Sequence, residues 1–155
     1  MWSWSPTEGH QPLLLDPVYA YVSFSTDGTN AVWVRGKDRV GPNSYAEVEL
    51  WTAPLEFPGP LTPKFLATTP HQEAPGTSVG DGWVAAYVAP NDVRLHRLSD
   101  GTEKRLPPPP SDGWTWRTQY ATGMPMADGA VWVRAAQGTQ TRYLTRFAIN
   151  ALPPP

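Results

Sequence analysis

The chain contains no cysteine among its 155 residues. This absence excludes disulfide bonds, thiolate nucleophiles, thiolate zinc sites and cysteine-ligated iron–sulfur clusters. No apolar run approaches the roughly 20 residues that a membrane-spanning helix needs. The formal net charge of −2 gives little attraction to nucleic acid or to anionic lipid. We therefore expect neither nucleic acid nor a membrane as a partner.

Sequence motifs that mark known chemistries are missing as well. The chain has no Gly-x-Ser-x-Gly elbow, no Walker loop and no His-Glu-x-x-His pair. The histidines are His10, His71 and His96, which lie far apart in sequence and lack partners at metal-ligand spacing. His96 falls on the polar side of an alternating segment, which predicts a solvated surface histidine. We therefore predict no catalytic residue, no metal and no cofactor.

Patterns typical of helices are also rare. The 19 prolines and 13 glycines interrupt nearly every window of a dozen residues, and no stretch keeps apolar positions at helical spacing. With 40% hydrophobic residues and eight tryptophans, the chain nevertheless has the material for a packed core. The composition therefore predicts an all-β fold of short strands.

A repeat dominates what is present. The tetrapeptide Val-Trp-Val-Arg occurs at Val32–Arg35 and again at Val131–Arg134. Each copy closely follows an Asp-Gly pair, and a third such pair lies between them and leads into Trp83–Ala89. The three pairs are Asp27-Gly28, Asp81-Gly82 and Asp128-Gly129. A period of about fifty residues is typical of stacked supersecondary units.

Each unit reads as four short strands. In unit one, strands are expected at 19–25, 31–35, 45–52 and 64–68, with a polar loop from Gly36 to Ser44. Unit two is the clearest, because the alternating segment Val93–Leu98 meets a Ser99-Asp100-Gly101 turn. The expected organisation is a closing edge segment at 1–16, followed by units at 17–70, 71–110 and 111–155.

Unit two, from Asp81-Gly82-Trp83 through Val93–Leu98 to Leu106, resembles a blade of the TolB-like (WD40-like) β-propeller family. The resemblance extends to unit three and more loosely to unit one. It implies a β-propeller with three four-stranded blades in each chain. Propellers usually have four to eight blades, so three would cover half of a six-bladed ring.

Two chains that pair head to tail would close such a ring. We therefore expect a homodimer in which unit one of each copy packs on unit three of the other. Pro12–Asp16 is interpreted as an edge strand that completes a neighbouring blade, which would protect an open edge.

The resemblance also suggests where ligands would bind. Trp33, Tyr87 and Trp132 occupy matching positions in the second strands and are predicted to pack between blades. Arg35 and Arg134 follow those strands, and together with Asn91 they are candidate ligand-binding residues at the rim of the channel. The function expected is a non-enzymatic platform that binds or scaffolds a protein or a small ligand.

A second interpretation is a propeller that binds or processes carbohydrate. Trp51, Trp114 and Trp116 are less regularly placed, and an exposed indole could stack on a sugar ring. Glu47 and Glu49 lie two apart on one strand and therefore share a face, as a glycosidase carboxylate pair would require. A solvated outer strand explains the same pair, so the sequence leaves both interpretations open.

Overall fold

The computed structural model describes residues 2–5, 9–12, 20–41, 44–55, 62–69, 77–89, 91–109, 113–117 and 124–155. These residues form fourteen strands and one short 3-10 turn, Ile149–Ala151. The strands are β1 (Trp2–Ser5), β2 (Gly9–Pro12), β3 (Ala20–Thr26), β4 (Asn30–Gly41), β5 (Ser44–Pro54), β6 (Lys64–Thr69), β7 (Thr77–Gly80), β8 (Trp83–Ala89), β9 (Asp92–Arg97), β10 (Glu103–Arg105), β11 (Thr115–Arg117), β12 (Met126–Ala127), β13 (Ala130–Gln137) and β14 (Gln140–Ala148).

The strands build three four-stranded antiparallel sheets and a separate β1–β2 hairpin, which confirms the prediction of an all-β chain. Sheet one has the order β3-β4-β5-β6, and sheet two contains β7 to β10 as a simple meander. In sheet three β14 pairs along one edge of β13, while β11 and β12 share the opposite edge. Of the expected edge strand, Pro12 belongs to the β1–β2 hairpin and residues 13–16 lie outside the described part.

Tight Asp-Gly turns connect β7 to β8 in sheet two and β12 to β13 in sheet three. Asp81 and Asp128 both have φ of 52°, and the glycines that follow them are also in the left-handed region. Two successive positive φ values define the type I′ turn, whose twist matches that of the flanking strands. The Asp-Gly repeat in the sequence therefore marks two hairpins of the same geometry.

Sheet one departs from the expected polar loop at Gly36 to Ser44. β4 continues to Gly41 and β5 starts at Ser44, so most of this segment is strand. Opposite charges face each other across the pair, with Lys37 Nζ 3.8 Å from a carboxylate oxygen of Glu47. Cross-strand partners of this kind explain why a polar sequence stays in the sheet.

Most of the core lies in two buried layers with sheet two between them. Sheets one and two enclose Val32, Val34, Tyr45, Val48, Leu50, Val84 and Ala86. Sheets two and three enclose Trp83, Ala85, Val93, Leu95, Leu106, Trp116, Met124, Val131, Val133, Ala135, Ile149 and Leu152. Sheet two is buried on both faces, which explains why β8 is apolar throughout rather than alternating.

Trp33 departs from the expected equivalence of Trp33, Tyr87 and Trp132. In sheet one the N–H of Asp27 donates to the carbonyl of Asn30, so the turn is centred one residue later than in the other sheets. A shift of one residue reverses the face that every following side chain occupies. Trp33 therefore lies on the outward face of sheet one. Tyr87 and Trp132 keep corresponding faces, but Tyr87 packs on the layer between sheets two and three, whereas Trp132 lies on the outward face of sheet three.

A proline-rich segment covers the outer edge of sheet two. The N–H of Arg105 on β10 donates to the carbonyl of Pro153 (3.0 Å). Lys104 Nζ also donates to the carbonyls of Asn150 (3.0 Å) and Leu152 (2.9 Å). Leu152 is 7% exposed, so the segment is anchored in the core.

Candidate functional site

The outward face of sheet three carries Leu144, which is the most exposed large hydrophobic side chain among the described residues. Leu144 on β14 is 61% exposed, and Arg134 and Arg146 beside it are exposed as well. Trp132 is half-buried, with the Arg146 guanidinium 6.0 Å from its ring centroid. The register pairs Trp132 with Arg146 and Arg134 with Leu144, so all four side chains share one face. We call these four residues the open face.

Sheet two shows what normally covers such a face. Ala85 and Leu95 occupy its corresponding side, and both are completely buried under sheet three. The turns also touch, because the N–H of Gly129 donates to Asp81 Oδ2 at 2.8 Å. The open face is therefore the corresponding side of sheet three, and no neighbouring sheet among the described residues covers it.

The outward face of sheet one carries an aromatic row. Phe24, Trp33, Trp51 and Phe65 are aligned across its four strands by register. Trp33 in the centre is 3% exposed, whereas Phe24 and Phe65 at the edges are 38% and 46% exposed. Trp51 packs edge-on against Phe65 with centroids 5.6 Å apart. These four residues are called the aromatic row.

An ion pair borders the aromatic row. Arg35 Nε contacts Glu49 Oε2, which also accepts a hydrogen bond from the Trp51 indole N–H at 2.9 Å. The Arg35 guanidinium lies 4.1 Å from the Trp51 ring centroid and so covers one face of the indole. Burial alone raises the pKa of Glu49, but the hydrogen bonds from Arg35 and Trp51 bring it below its usual value. Glu49 is therefore held as a carboxylate.

The candidate rim residues Arg35 and Arg134 are not brought together within one chain. Arg35 and Arg134 lie in the middle of β4 and β13, because both strands run beyond the Val-Trp-Val-Arg segment. Their side chains belong to outward faces on opposite ends of the three-sheet stack, so the structure does not bring them together within one chain.

Asn91 has a structural position instead. It adopts φ of 62°, and its Oδ1 accepts a hydrogen bond from the Trp116 N–H at 3.1 Å, which ties sheet two to β11. It also lines a groove of about 510 Å³ that the two Leu-Pro-Pro-Pro segments border, together with Arg105. The groove therefore joins the two copies of a motif that are 46 residues apart in sequence.

His96 is buried rather than solvated, at 3% exposure, which corrects the sequence-based expectation. Its Nδ1 lies 3.3 Å from Glu103 Oε1, while Nε2 has no partner in the described part. Burial lowers the pKa of His96; Glu103 opposes this effect and Arg94 adds to it. Among the described residues no group of three acidic or histidine side chains is placed to hold a metal, and no helix has the length and hydrophobicity of a membrane span.

Sequence reasoning missed the residues that make the open face distinctive. Leu144 and Arg146 alternate with inward residues along β14, and this period of two is the signal that would have located them. Asp128 was recognised only as part of a turn. The chain matches no protein-family profile, no curated protein and no solved structure.

Proposed function

We propose that the protein is a non-enzymatic binding module whose open face docks a further β-sheet. The observation that carries this proposal is the contrast between sheets two and three. The corresponding face of sheet two is fully buried under its neighbour, whereas Leu144 is 61% exposed. An exposed leucine beside a tryptophan and two arginines has the composition of a protein interface centre, where these aromatic and guanidinium groups are enriched.

The partner proposed is a second copy of the same chain. Its sheet one presents the aromatic row, whose edge rings Phe24 and Phe65 remain partly exposed. Arginines bind well over aromatic rings and beside carboxylates such as Glu47, whose side chain is 39% exposed. The two faces are therefore complementary in chemistry.

Head-to-tail pairing of two copies would make a six-bladed propeller ring. Sheet one of each copy would pack on sheet three of the other, so the ring contains two identical new junctions. A closed pair cannot grow into a fibre, because it leaves neither face free. We expect the two junctions together to bury an area in the size range of obligate interfaces, roughly 2,000 Å² or more.

The test is the mass in solution and its response to a charge on the open face. We expect twice the chain mass of 17.1 kDa by light scattering at micromolar concentration. Leu144→Glu should give the monomer. Val40→Glu is the matched control, because Val40 is 59% exposed and lies near the end of β4, seven residues along the strand from Trp33. A wild-type monomer, or equal behaviour of the two variants, would contradict the proposal.

The chemistry of the carboxylates supports a role without catalysis. Glu47 and Glu49 each face a cation, and the pKa of Glu49 is lowered, whereas a glycosidase needs one carboxylic acid that stays protonated. Carbohydrate binding is the second candidate, because Trp51 is half-buried beside the exposed Phe65. Titration with oligosaccharides, followed by tryptophan fluorescence in wild type and Trp51→Ala, separates the two candidates. A saturable change that Trp51→Ala removes would favour the second.

A further inference from the structure

One hydrogen bond links neighbouring hairpin turns in this fold. Asp81 Oδ2 in the turn of sheet two accepts the N–H of Gly129 in the turn of sheet three at 2.8 Å. The two turns have the same geometry, since Asp81 and Asp128 share a φ of 52°. The carboxylate of one turn thus holds the amide of the next turn, and the contact can be repeated from sheet to sheet. Hydrogen bonds to a charged acceptor are stronger than those between neutral groups.

Asp128 occupies on sheet three the position that Asp81 occupies on sheet two. It is exposed, and no hydrogen bond or ion pair to its carboxylate occurs among the described residues. Suppose that a further sheet covers the open face as sheet three covers sheet two. The hairpin turn of that sheet would then lie beside the Asp128 carboxylate. The free acceptor therefore stands at the side of sheet three where a neighbour is missing.

Sheet one lacks this acceptor because its turn is capped internally. Asp27 Oδ1 accepts the N–H groups of Thr29 (2.9 Å) and Asn30 (2.7 Å), and Thr26 Oγ1 accepts that of Gly28 (3.0 Å). The backbone N–H groups of Gly28, Thr29 and Asn30 therefore already have acceptors within the turn. The exposed Thr29 hydroxyl makes no hydrogen bond to another described residue and remains a donor. The two ends of the stack thus differ, with a free carboxylate on sheet three and a hydroxyl donor on sheet one.

We infer that Asp128 sets the register of the docked sheet by accepting a hydrogen bond from Thr29 of a second copy. This inference rests on the proposed function and adds to it a positioning residue on each side of the junction. The bond fixes which way the incoming sheet faces, because only one end of each chain carries the free carboxylate. Apolar contact through Leu144 alone has no such direction.

The experiment measures self-association of wild type, Asp128→Ala, Thr29→Val and the double variant by sedimentation velocity over a concentration series. We expect each single variant to raise the dissociation constant about tenfold for each junction, and therefore about 100-fold for a dimer with two junctions. The double variant should be no weaker than the single ones, because both remove the same bond. Asp128→Asn, which keeps a neutral acceptor, should fall between wild type and Asp128→Ala.

Asp81→Ala is the control within the chain. It removes the contact to Gly129 and should lower the melting temperature, while circular dichroism should show Asp128→Ala to be folded as wild type. A wild-type dimer that Asp128→Ala leaves unchanged would overturn the inference and leave the proposed function standing. Additive effects in the double variant would overturn the pairing with Thr29. A wild-type chain that stays monomeric at every concentration would overturn both proposals.

Discussion

Gly36 on β4 should be intolerant of even a methyl group. A β-carbon at this position would lie 2.6 Å from Cδ2 of Tyr45 and closer still to two other ring carbons. Tyr45 is 8% exposed and belongs to the buried layer between sheets one and two. The φ of Gly36 is not in the left-handed region, so the only obstacle to alanine is the ring.

We expect Gly36→Ala to lower the free energy of unfolding by about 2–4 kcal/mol. Forced overpacking costs ~1–3 kcal/mol, and a ring that leaves the layer also loses part of the ~3–5 kcal/mol that complete truncation of a core aromatic costs. Urea unfolding followed by tryptophan fluorescence measures this difference.

Tyr45→Ala supplies the control that isolates the ring. In that background the clash is gone, and Gly36→Ala should be neutral or stabilising by ~0.5–1 kcal/mol, because alanine is favoured over glycine in a strand. The cycle should therefore show a coupling of at least about 2 kcal/mol between the two positions. An equal cost of Gly36→Ala in both backgrounds would refute the argument from the ring.

Three further outcomes follow from burial. Gly80→Ala should cost about 1–3 kcal/mol of stability in thermal unfolding, because its β-carbon would lie 2.7 Å from the backbone oxygen of Met126, which cannot swing away. Trp83→Ala should lower the free energy of unfolding by about 3–5 kcal/mol, because Trp83 is 7% exposed. Trp132→Ala should lower it clearly less under conditions that keep the chain monomeric, because Trp132 is only half-buried. Equal losses of stability would contradict the assigned faces. The unfolded-state pKa of histidine is about 6.5, and burial depresses that of His96 in the fold, so stability should be full above pH 6.5 and fall as the pH drops below it. His96→Gln should flatten that part of a pH series, and an unchanged slope would refute the assignment.

Much of the architecture could be predicted because local signals and tertiary structure agree. The Asp-Gly turns at Asp81 and Asp128 have the backbone that their sequence favours, and the apolar strands that follow them are buried. The alternation of apolar and polar residues in Val93–Leu98 likewise predicts a strand, and β9 pairs with β10 in the structure.

What the sequence could not reveal depends on single-residue offsets and on neighbours remote in sequence. Asp27 caps its own turn, which shifts the turn by one residue and turns Trp33 to the outward face. His96 alternates as an outward residue should, yet sheet two has a neighbour on both sides and no outward face. The candidate site was missed for the same reason, since Leu144 is distinguished only by the neighbour that it lacks.

The proline segment on β10 also limits how sheet two can grow. The carbonyl of Pro153 accepts the N–H of Arg105 at that edge, but proline has no N–H to offer to a strand beyond it. A continuous ladder of hydrogen bonds, as in an amyloid fibril, needs donors and acceptors on every added strand. The segment therefore blocks the addition of a further strand at β10. Disruption of Leu152, which anchors the segment in the core, should make the protein prone to aggregation through this edge.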